Sequence, residues 1–400
     1  MTHVLIVGAG IAGPVAALAL RRAGISAEMH EGHRTGGTDA GAFLTLAGNG
    51  MAALRTLGAD GPVAAAGFPT ERMQFASGTG RRLGTVPLGP GSITVTRSEL
   101  HDILRDQALD AGVPTHYDHR LTGVRRSTRG VTAEFADGST ATGDLLVGAD
   151  GLRSVTRTLL DPRTPPARYV PVLNTGGFAP DLPDVPGEPG VYTMVFGRRA
   201  FFSWVRHPDG AIWWFANPPR RDEPAPGELA TIGDAAWRSH LTGLLAGDAG
   251  PAVRIIDATP GQLSAWATYD LPTVPVWQAD RVVLVGDAAH ATAPSSGQGA
   301  SMAIEDAVVL AKCLRDLPDP DRALSAYEQL RRRRVEKVVK HGRRSSSGKA
   351  VGGAARVLRD LMLPPILRHV AASAPRSLAW LNDYDIDWES PVSRDLAAAR

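Results

Sequence analysis

The sequence predicts an α/β fold with two sheets and additional helices at the C-terminus. One sheet is expected to be parallel and built from both ends of the chain, and the other is expected to be mixed or antiparallel and inserted between them. Residues 4–30 have the pattern of a strand, a helix and a strand. Two further glycine-rich stretches, at 148–151 and 286–299, each follow a short apolar run typical of a buried strand. The segment between them is rich in proline and in aromatic residues, which favours a separate sheet.

The composition restricts the class of protein. The chain has 400 residues, of which 43% are hydrophobic and 21% charged, and its formal net charge is +2. These values are ordinary for a globular protein of about two domains and give no reason to expect nucleic acid as a partner. Cys313 is the single cysteine, so no intrachain disulfide can form. No apolar run approaches the roughly 18 residues of a membrane span, and no signal-peptide pattern is present, so we expect a cytoplasmic protein.

The first glycine segment, Gly8 to Gly13, joins the predicted strand Val4–Val7 to the predicted helix Ile11–Ala23. In a Rossmann-like unit the first glycine allows a tight turn, the second lets the backbone approach a pyrophosphate, and the third permits close packing of helix on strand. The residues that match these roles and the start of the helix are Gly8, Gly10, Ile11, Ala12 and Gly13. Free N–H groups at the helix N-terminus would bind the phosphates.

The predicted second strand, Ile25–His30, ends at Glu31. A carboxylate at this place would accept hydrogen bonds from the hydroxyls of the adenosine ribose. The pattern therefore predicts a dinucleotide-binding domain. A glycine-rich turn in an unrelated α/β protein is the alternative.

The third glycine segment, Gly286 to Gly299, favours FAD over NAD, because the first segment contacts only the ADP half that both dinucleotides share. The predicted strand Arg281–Val285 delivers Asp287, whose carboxylate could bind the ribityl chain. The residues that permit close backbone approach before the next helix are Gly286, Pro294, Gly297 and Gly299. The N-terminus of that helix would stabilise negative charge on a reduced flavin. An ordinary second strand-to-helix turn of the same sheet is the alternative.

The order of these segments resembles that of the class A flavoprotein monooxygenases, the single-component family with the para-hydroxybenzoate hydroxylase fold. The resemblance covers roughly residues 1 to 340. It includes the second glycine segment, Gly148 to Gly151, where the family motif implies that Asp150 and Arg153 order the loop. It also implies that Arg97 meets the FAD phosphate region and that Asp287 binds the ribityl chain. Alanine stands at Ala300, where many relatives have a second glycine, and is small enough for backbone approach.

The resemblance also covers a segment beside the flavin, residues 41–49, which we call the flavin-side segment. Relatives often carry Pro-Asn near its end, whereas this chain has Gly48-Asn49.

The resemblance implies an FAD-dependent enzyme that uses NADPH or NADH as a cosubstrate together with molecular oxygen. A flavin C4a-hydroperoxide would transfer one oxygen atom to an electron-rich small molecule, by hydroxylation or epoxidation. Flavin-dependent halogenation is disfavoured because no lysine precedes Lys312. An FAD-dependent reductase or dehydrogenase remains an alternative, as do an NAD dehydrogenase and a nucleotide-binding module without turnover.

The domain boundaries follow from the same patterns. We expect an FAD-binding domain at 1–161 and 276–340, a substrate-binding sheet domain at 162–275, and a C-terminal helical segment at 341–400. The strongest hairpin signal in the middle domain joins Phe201–Arg206 to Ala211–Asn217. The basic run Arg331–Arg334 is interpreted as a solvated helix face. We expect a monomer or a homodimer.

The aromatic hairpin is expected to supply the wall of the substrate site, although strand alternation lets only about half of its side chains point inward. The predicted substrate-facing residues are Phe202, Trp204, Trp213 and Phe215. No convincing general base is present: His207 is expected to be exposed in a turn, His240 lies in a helix-like stretch, and His290 is expected to order its loop. The sequence thus favours a hydrophobic, intrinsically nucleophilic substrate such as an indole or an alkene.

Overall fold

The computed structural model describes residues 2–34, 42–271, 273–292, 297–346, 353–377 and 379–399. The strands, in chain order, are β1 (His3–Val7), β2 (Ser26–His30), β3 (Phe43–Leu46), β4 (Phe68–Pro69), β5 (Arg72–Ser77), β6 (Arg82–Pro87), β7 (Ile93–Thr96), β8 (Thr115–His116), β9 (Leu121–Arg126), β10 (Val131–Phe135), β11 (Thr140–Gly143), β12 (Leu145–Gly148), β13 (Arg168–Ala179), β14 (Val191–Phe196), β15 (Phe201–Arg206), β16 (Ile212–Asn217), β17 (Ala265–Asp270), β18 (Gln278–Ala279) and β19 (Val282–Leu284).

The α-helices of the described residues are α1 (Ala12–Arg22), α2 (Gly48–Thr56), α3 (Asp60–Ala66), α4 (Arg97–Asp110), α5 (Val155–Leu160), α6 (Asp234–Leu245), α7 (Ala252–Ala258), α8 (Asp287–His290), α9 (Gly299–Asp316), α10 (Pro320–Ser346), α11 (Gly353–Ser377), α12 (Ala379–Asn382) and α13 (Val392–Ala398). No helix in this part of the chain combines the length and the apolar character needed to cross a membrane.

The first sheet has the strand order β18-β19-β12-β1-β2-β8. Strand β1 pairs in parallel with both β2 and β12, and β12 pairs in parallel with β19. The carboxyl ends of these four strands therefore lie at one edge of the sheet. Each of the three glycine segments begins at this edge, after β1, β12 and β19, and Glu31 follows β2. The predicted α/β class and the parallel sheet made from both ends of the chain are confirmed.

Helices α1, α9 and α10 cover this sheet, and their apolar faces form its core. Val15 of α1, Ile304 of α9 and Tyr327 of α10 are fully buried together with Leu5 and Val283 of the strands. Burial on the two faces explains why β1, β12 and β19 have continuous apolar runs rather than alternating ones.

The second sheet has the order β17-β13-β16-β15-β14-β5-β6. It is mixed as predicted, because β14 pairs in parallel with β5 while the other neighbours are antiparallel. Strands β5 and β6 come from residues 72–87, ahead of the segment 162–275 that supplies the rest of the sheet. One face of the sheet packs on α6 and α7. The other, which we call the inner face, packs on β3 and β4 through Phe43 and Phe68.

The C-terminal region is helical and contacts both domains. Helix α11 packs on β6, where Leu367 contacts Leu83 and Val86. The last residues pack on α9, where the buried Nζ of Lys312 donates to Oδ2 of Asp395 at 2.5 Å and to the carbonyl oxygen of Asp387 at 2.6 Å.

Candidate active site

The first glycine segment is compact because Gly8 and Gly13 leave no room for a side chain. A Cβ placed on Gly13 would lie 2.0 Å from the carbonyl oxygen of Gly8, so helix α1 can start directly above the strand only with glycine there. A Cβ placed on Gly10 meets nothing within 4 Å. The backbone at Gly10 therefore borders open space at the N-terminus of α1, where a phosphate group can approach.

Glu31 lies beside this segment with both carboxylate oxygens oriented. Oε2 accepts a hydrogen bond from the backbone N–H of Ala9 at 2.7 Å, and Oε1 accepts one from the N–H of His33 at 2.9 Å. The side chain is almost buried, with 7% of the residue exposed. A carboxylate fixed in this way keeps free lone pairs for further donors, such as ribose hydroxyls.

The second glycine segment is ordered by Asp150. Its Oδ2 accepts hydrogen bonds from the N–H and the Oγ1 hydroxyl of Thr156, both at 2.9 Å, and its Oδ1 accepts from Ser154. Arg153 is exposed and interacts with Tyr269 of β17, so the loop is ordered by Ser154 and Thr156 rather than by Arg153.

Arg157 is a residue of this region that the sequence analysis missed. Its guanidinium is buried and donates to the carbonyl oxygens of Ala288 at 3.0 Å and Leu152 at 2.7 Å. Burial lowers the pKa of Arg157, although the charges of Asp150 and Asp287 oppose this effect. Arg157 thereby joins the second glycine segment to the third, and a basic residue seven positions after Asp150 is the signal that could have revealed it.

The third glycine segment begins with a conformation that requires glycine. Gly286 has φ 60° and ψ −140°, and a Cβ there would lie 2.9 Å from that of Ala303 and 3.3 Å from that of Ala12. Gly286 thus lets α1 and α9 approach each other, which brings the first and third segments together.

Asp287 and the start of α9 follow at the same edge. The half-buried carboxylate of Asp287 forms no hydrogen bond with the described residues. Its Oδ1 lies 4.0 Å from the position of a Cβ on Gly299, where α9 begins without a side-chain cap. Gly297 and Ala300 flank that start, whereas Pro294 lies outside the described residues. The exposed side chain of Arg97, at the start of α4, likewise forms no hydrogen bond or ion pair with the described residues.

A buried ionic cluster supports the third segment from behind. Asp306 accepts hydrogen bonds from the N–H of Gly286 at 3.0 Å and from Nε of Arg331 at 2.7 Å, and it also contacts Nε2 of His290. Glu305 pairs with Arg331 at 2.7 Å and with Arg334 at 2.8 Å. Burial alone would raise the pKa of Asp306, but His290 and Arg331 lower it to about 2.

The expectation of a solvated basic run is therefore wrong for two of its members. Arg331 is fully buried and the side chain of Arg334 is 10% exposed, because Arg331 pairs with both acids of α9 and Arg334 pairs with Glu305. His290 is buried at 3% exposure and bound to Asp306, in agreement with its expected role in ordering the loop.

The structure explains why the flavin-side segment has Gly48 where relatives often have proline. Its described part, from residue 42 onward, forms β3 and the start of α2. A Cβ on Gly48 would lie 2.4 Å from the carbonyl oxygen of Pro90, so a proline or any other side chain does not fit there. Asn49 is buried and its Nδ2 donates to Glu305 at 2.6 Å and to Gln298 at 3.0 Å.

The inner face of the second sheet brings only half of the predicted aromatic residues toward the flavin-side segment. The ring of Phe43 lies 5.4 Å from Trp213 and 6.2 Å from Phe215, centre to centre. Phe202 and Trp204 project from the opposite face and are buried against α6 and α7. The prediction that these two line the substrate site is corrected, because strand alternation places them on the other side of the sheet.

Most side chains of the inner face next to these rings are uncharged: Asn174, Phe178, Tyr192, Met194, Ser203 and Asn217. Farther along the same face, Arg359 lies 4.8 Å from the centre of the Phe196 ring and pairs with Asp360. Tyr192 is buried, which raises its pKa, and its hydroxyl lies 2.9 Å from that of Thr45. His207 is half-buried rather than exposed, stacks on Trp213 and pairs with Asp209 at 2.7 Å. His240 is exposed on α6.

Comparison with known proteins identifies the family to which this chain belongs. The model of the FAD binding domain family matches residues 1–342. An aurachin C monooxygenase/isomerase of Stigmatella aurantiaca is 34% identical over 345 residues, covering 84% of this chain and 86% of that protein. An FAD-dependent urate hydroxylase of Klebsiella pneumoniae is 32% identical over 350 residues, covering 85% and 88%.

A solved structure agrees with the sequence matches. Klebsiella pneumoniae HpxO, complexed with FAD and uric acid, superposes with a TM-score of 0.81 at 27% identity, over 93% of this chain and 96% of that one. The chain therefore belongs to the FAD binding domain family, and it is an FAD-dependent monooxygenase with the para-hydroxybenzoate hydroxylase fold.

Proposed function

We propose that this monooxygenase uses NADPH or NADH and molecular oxygen to add one oxygen atom to an uncharged, hydrophobic aromatic or heteroaromatic molecule. The observation that carries the substrate class is the inner face of the second sheet. Trp213 and Phe215 meet Phe43 of the flavin-side segment there, and the side chains beside them on the neighbouring strands are apolar or neutral amides and hydroxyls. A charged substrate would have to be desolvated against these uncharged side chains.

The edge of the first sheet fits FAD. The residues proposed to bind it are Gly8, Gly10, Ile11, Ala12, Gly13, Glu31, Arg97, Asp150, Gly286, Asp287, Pro294, Gly297, Gly299 and Ala300. Glu31 and Asp287 follow strands that are three neighbours apart, which corresponds to about 14 Å across the sheet. The backbone at Gly10 borders open space, and the carboxylate of Asp287 forms no hydrogen bond with the described residues. Polar groups are therefore available to FAD at both ends of this edge.

Bound FAD would supply the reduction by the nicotinamide and the activation of oxygen. The chain's own residues would orient the substrate and shield the reaction from water. The uncapped N-terminus of α9 would place N–H groups and partial positive charge beside the flavin ring. The inner face would hold the substrate in an apolar environment that excludes water. The histidine that the structure places beside the rings of this face, His207, stacks on Trp213 and pairs with Asp209, so we expect the substrate itself to be electron-rich.

The relatives support an aromatic substrate but differ in its charge. Their names include monooxygenases of 6-hydroxynicotinate and 3-amino-4-hydroxybenzoate, at 28% and 32% identity. Arg359, a cation on the inner face, lies 4.8 Å from the centre of the Phe196 ring but pairs with Asp360 at 2.8 Å, so we expect the site to prefer uncharged rings.

A substrate panel tests this proposal. Neutral indoles, quinolones and naphthols are compared with benzoates and nicotinates, with NAD(P)H oxidation, oxygen uptake and product mass measured together. We expect oxygen uptake and a gain of one oxygen only with the neutral rings. Preference for the anions would refute the substrate class, and substrate-dependent NAD(P)H oxidation without oxygen uptake would favour the reductase alternative.

A matched pair of variants links the result to the inner face. Phe215→Ala should raise KM or change the preferred substrate. Phe202→Ala, on the opposite face, should lower stability and leave the preference unchanged.

A further inference from the structure

We propose that α12, at the C-terminal end of the chain, is part of the cofactor site, and that Asn382 is a positioning residue that holds the third glycine segment through Gln298. This inference rests on FAD binding and is independent of the substrate class proposed above.

A directed series of hydrogen bonds connects Asn382 to the site. Its Nδ2 donates to the carbonyl oxygen of Leu88 at 3.2 Å, and its Oδ1 accepts from Nε2 of Gln298 at 3.4 Å. Oε1 of Gln298 accepts from Nδ2 of Asn49 at 3.0 Å, and the same Nδ2 donates to Oε1 of Glu305 at 2.6 Å. The series therefore runs from the end of β6 in the second sheet, through the C-terminal segment, to the two segments expected at the flavin.

The carboxylate of Glu305 fixes the direction of the whole series. A carboxylate only accepts hydrogen bonds when ionised, so Asn49 must present its amino group to it. Gln298 must then present its oxygen to Asn49 and its amino group to Asn382. Each amide therefore has one permitted orientation, and substitution of one member removes a hydrogen bond from its neighbour.

Packing places Asn382 where three segments meet. A Cβ on Gly89, after β6, would lie 3.1 Å from Nδ2 of Asn382, and a Cβ on Gly48 would lie 3.6 Å from its carbonyl oxygen. Gly48 begins the helix that carries Asn49. Asn382 thus contacts the flavin-side segment and the loop after β6 as well as Gln298.

Arg334 fixes the position of α12. Its guanidinium donates to the carbonyl oxygens of Trp380 at 2.5 Å and Leu381 at 3.0 Å while it pairs with Glu305. It also lies 4.0 Å from the centre of the Tyr384 ring. The buried ionic cluster behind the third glycine segment therefore also determines where Asn382 lies.

One buried atom of the series accepts no hydrogen bond from the described residues: Oδ1 of Asn49. A buried polar atom without a partner is rare in proteins because it costs free energy. This Oδ1 atom lies on the residue that joins the flavin-side segment to Gln298. A spare acceptor there is expected if the network is completed when a group binds between the two segments.

Asn382→Ala and Gln298→Met test the proposal, each removing the bond between them from one end. Thermal stability and FAD affinity, by quenching of flavin fluorescence, are measured on the apoprotein. The reduction potential of the flavin is measured on the FAD-loaded enzyme. We expect either variant to weaken FAD binding about fivefold to tenfold, as for the loss of one or two hydrogen bonds, and to shift the potential. Asp383→Ala is the matched control, because its side chain is exposed on the next residue and should change neither quantity.

The double variant separates positioning from general loosening. Because the two residues act through one bond, the double variant should bind FAD no more than twofold weaker than the weaker single variant. The proposal would be overturned if Asn382→Ala kept the wild-type FAD affinity and reduction potential. It would also be overturned if the loss of FAD affinity in the double variant equalled the product of the two single losses, or if Asp383→Ala lost as much FAD affinity as Asn382→Ala. If Asn382→Ala does not fold, Gln298→Met alone decides by the same two measurements.

Discussion

Oε2 of Glu31 lies 2.7 Å from the backbone nitrogen of Ala9 and accepts its hydrogen bond, so the acid at the end of β2 is bound to the loop that follows β1. These two residues follow adjacent parallel strands, and both lie at the sheet edge where all three glycine segments begin. Binding of the carboxylate by backbone donors prepares it for a ligand at no further cost in side-chain entropy.

Glu31→Gln should weaken FAD binding about tenfold to a hundredfold. The amide presents an N–H group to at least one backbone donor, and it loses the charge that would strengthen hydrogen bonds from ribose hydroxyls, an effect of roughly 1.5–3 kcal/mol. Titration of the apoprotein with FAD measures the change. Glu389→Gln is the control, because that carboxylate is 83% exposed, and equal affinities in the two variants would contradict the assignment.

Asp287→Ala should weaken FAD binding without destabilising the apoprotein. Its half-buried carboxylate makes no hydrogen bond with the described residues, so its removal costs the folded chain little. The two quantities to compare are the FAD dissociation constant and the melting temperature of the apoprotein. A fall in melting temperature of more than a few degrees would show that Asp287 is structural.

Asp306→Asn should have the opposite profile and destabilise the apoprotein by roughly 3–5 kcal/mol, the usual cost of breaking a buried ion pair. The change removes one of the two negative charges that neutralise fully buried Arg331. Urea unfolding of the apoprotein measures the effect. Glu336→Gln, which breaks an exposed pair with Arg332 at 3.5 Å, should cost less than about 1 kcal/mol.

The protein should lose stability as the pH falls from about 6.5 toward 4. Burial lowers the pKa of His30 from 6.5 to about 4; attraction to Glu28 opposes this effect, and repulsion from His116 and His119 adds to it. Between these values the unfolded chain binds the proton and the folded chain does not, so the free energy of unfolding decreases as the pH falls.

The three rings stack, with His30 5.1 Å from His116 and 5.4 Å from His119. His30→Phe keeps a ring in the stack and should flatten the pH dependence in denaturant unfolding of the apoprotein. An unchanged slope in this variant would rule out His30 as its source.

Gly48→Ala should destabilise the protein by roughly 1–3 kcal/mol, because its Cβ would lie 2.4 Å from the carbonyl oxygen of Pro90. Gly243→Ala is the matched control: this glycine lies inside α6 with nothing within 4 Å of the added atom, so alanine should stabilise by about 0.5–1 kcal/mol. Thermal unfolding distinguishes the two signs. Stabilisation by both substitutions would mean that the backbone at Pro90 can move away from the added Cβ at little cost in free energy.

The structure confirms the parts of the fold that follow from short-range patterns. The apolar runs before the glycine segments form β1, β12 and β19 within a residue or two of their predicted ends, and the aromatic hairpin forms β15 and β16. Strands β5 and β6 join the second sheet from a distant part of the sequence, and no local pattern indicates that pairing.

By itself the sequence determined the sheet edge at which the three glycine segments begin, because the first glycine of each segment and the acids Glu31 and Asp287 all lie within a few residues of a strand end. Only the tertiary structure decided which aromatic residues turn inward, since alternation gives Phe202 and Trp213 opposite faces without saying which face meets the first domain. It also decided that Arg331 and Arg334 are buried, because the acids that neutralise them, Glu305 and Asp306, lie on the preceding helix α9. Asn382 has no local signal at all, since its partners Leu88 and Gln298 reach it only through the folding of the whole chain.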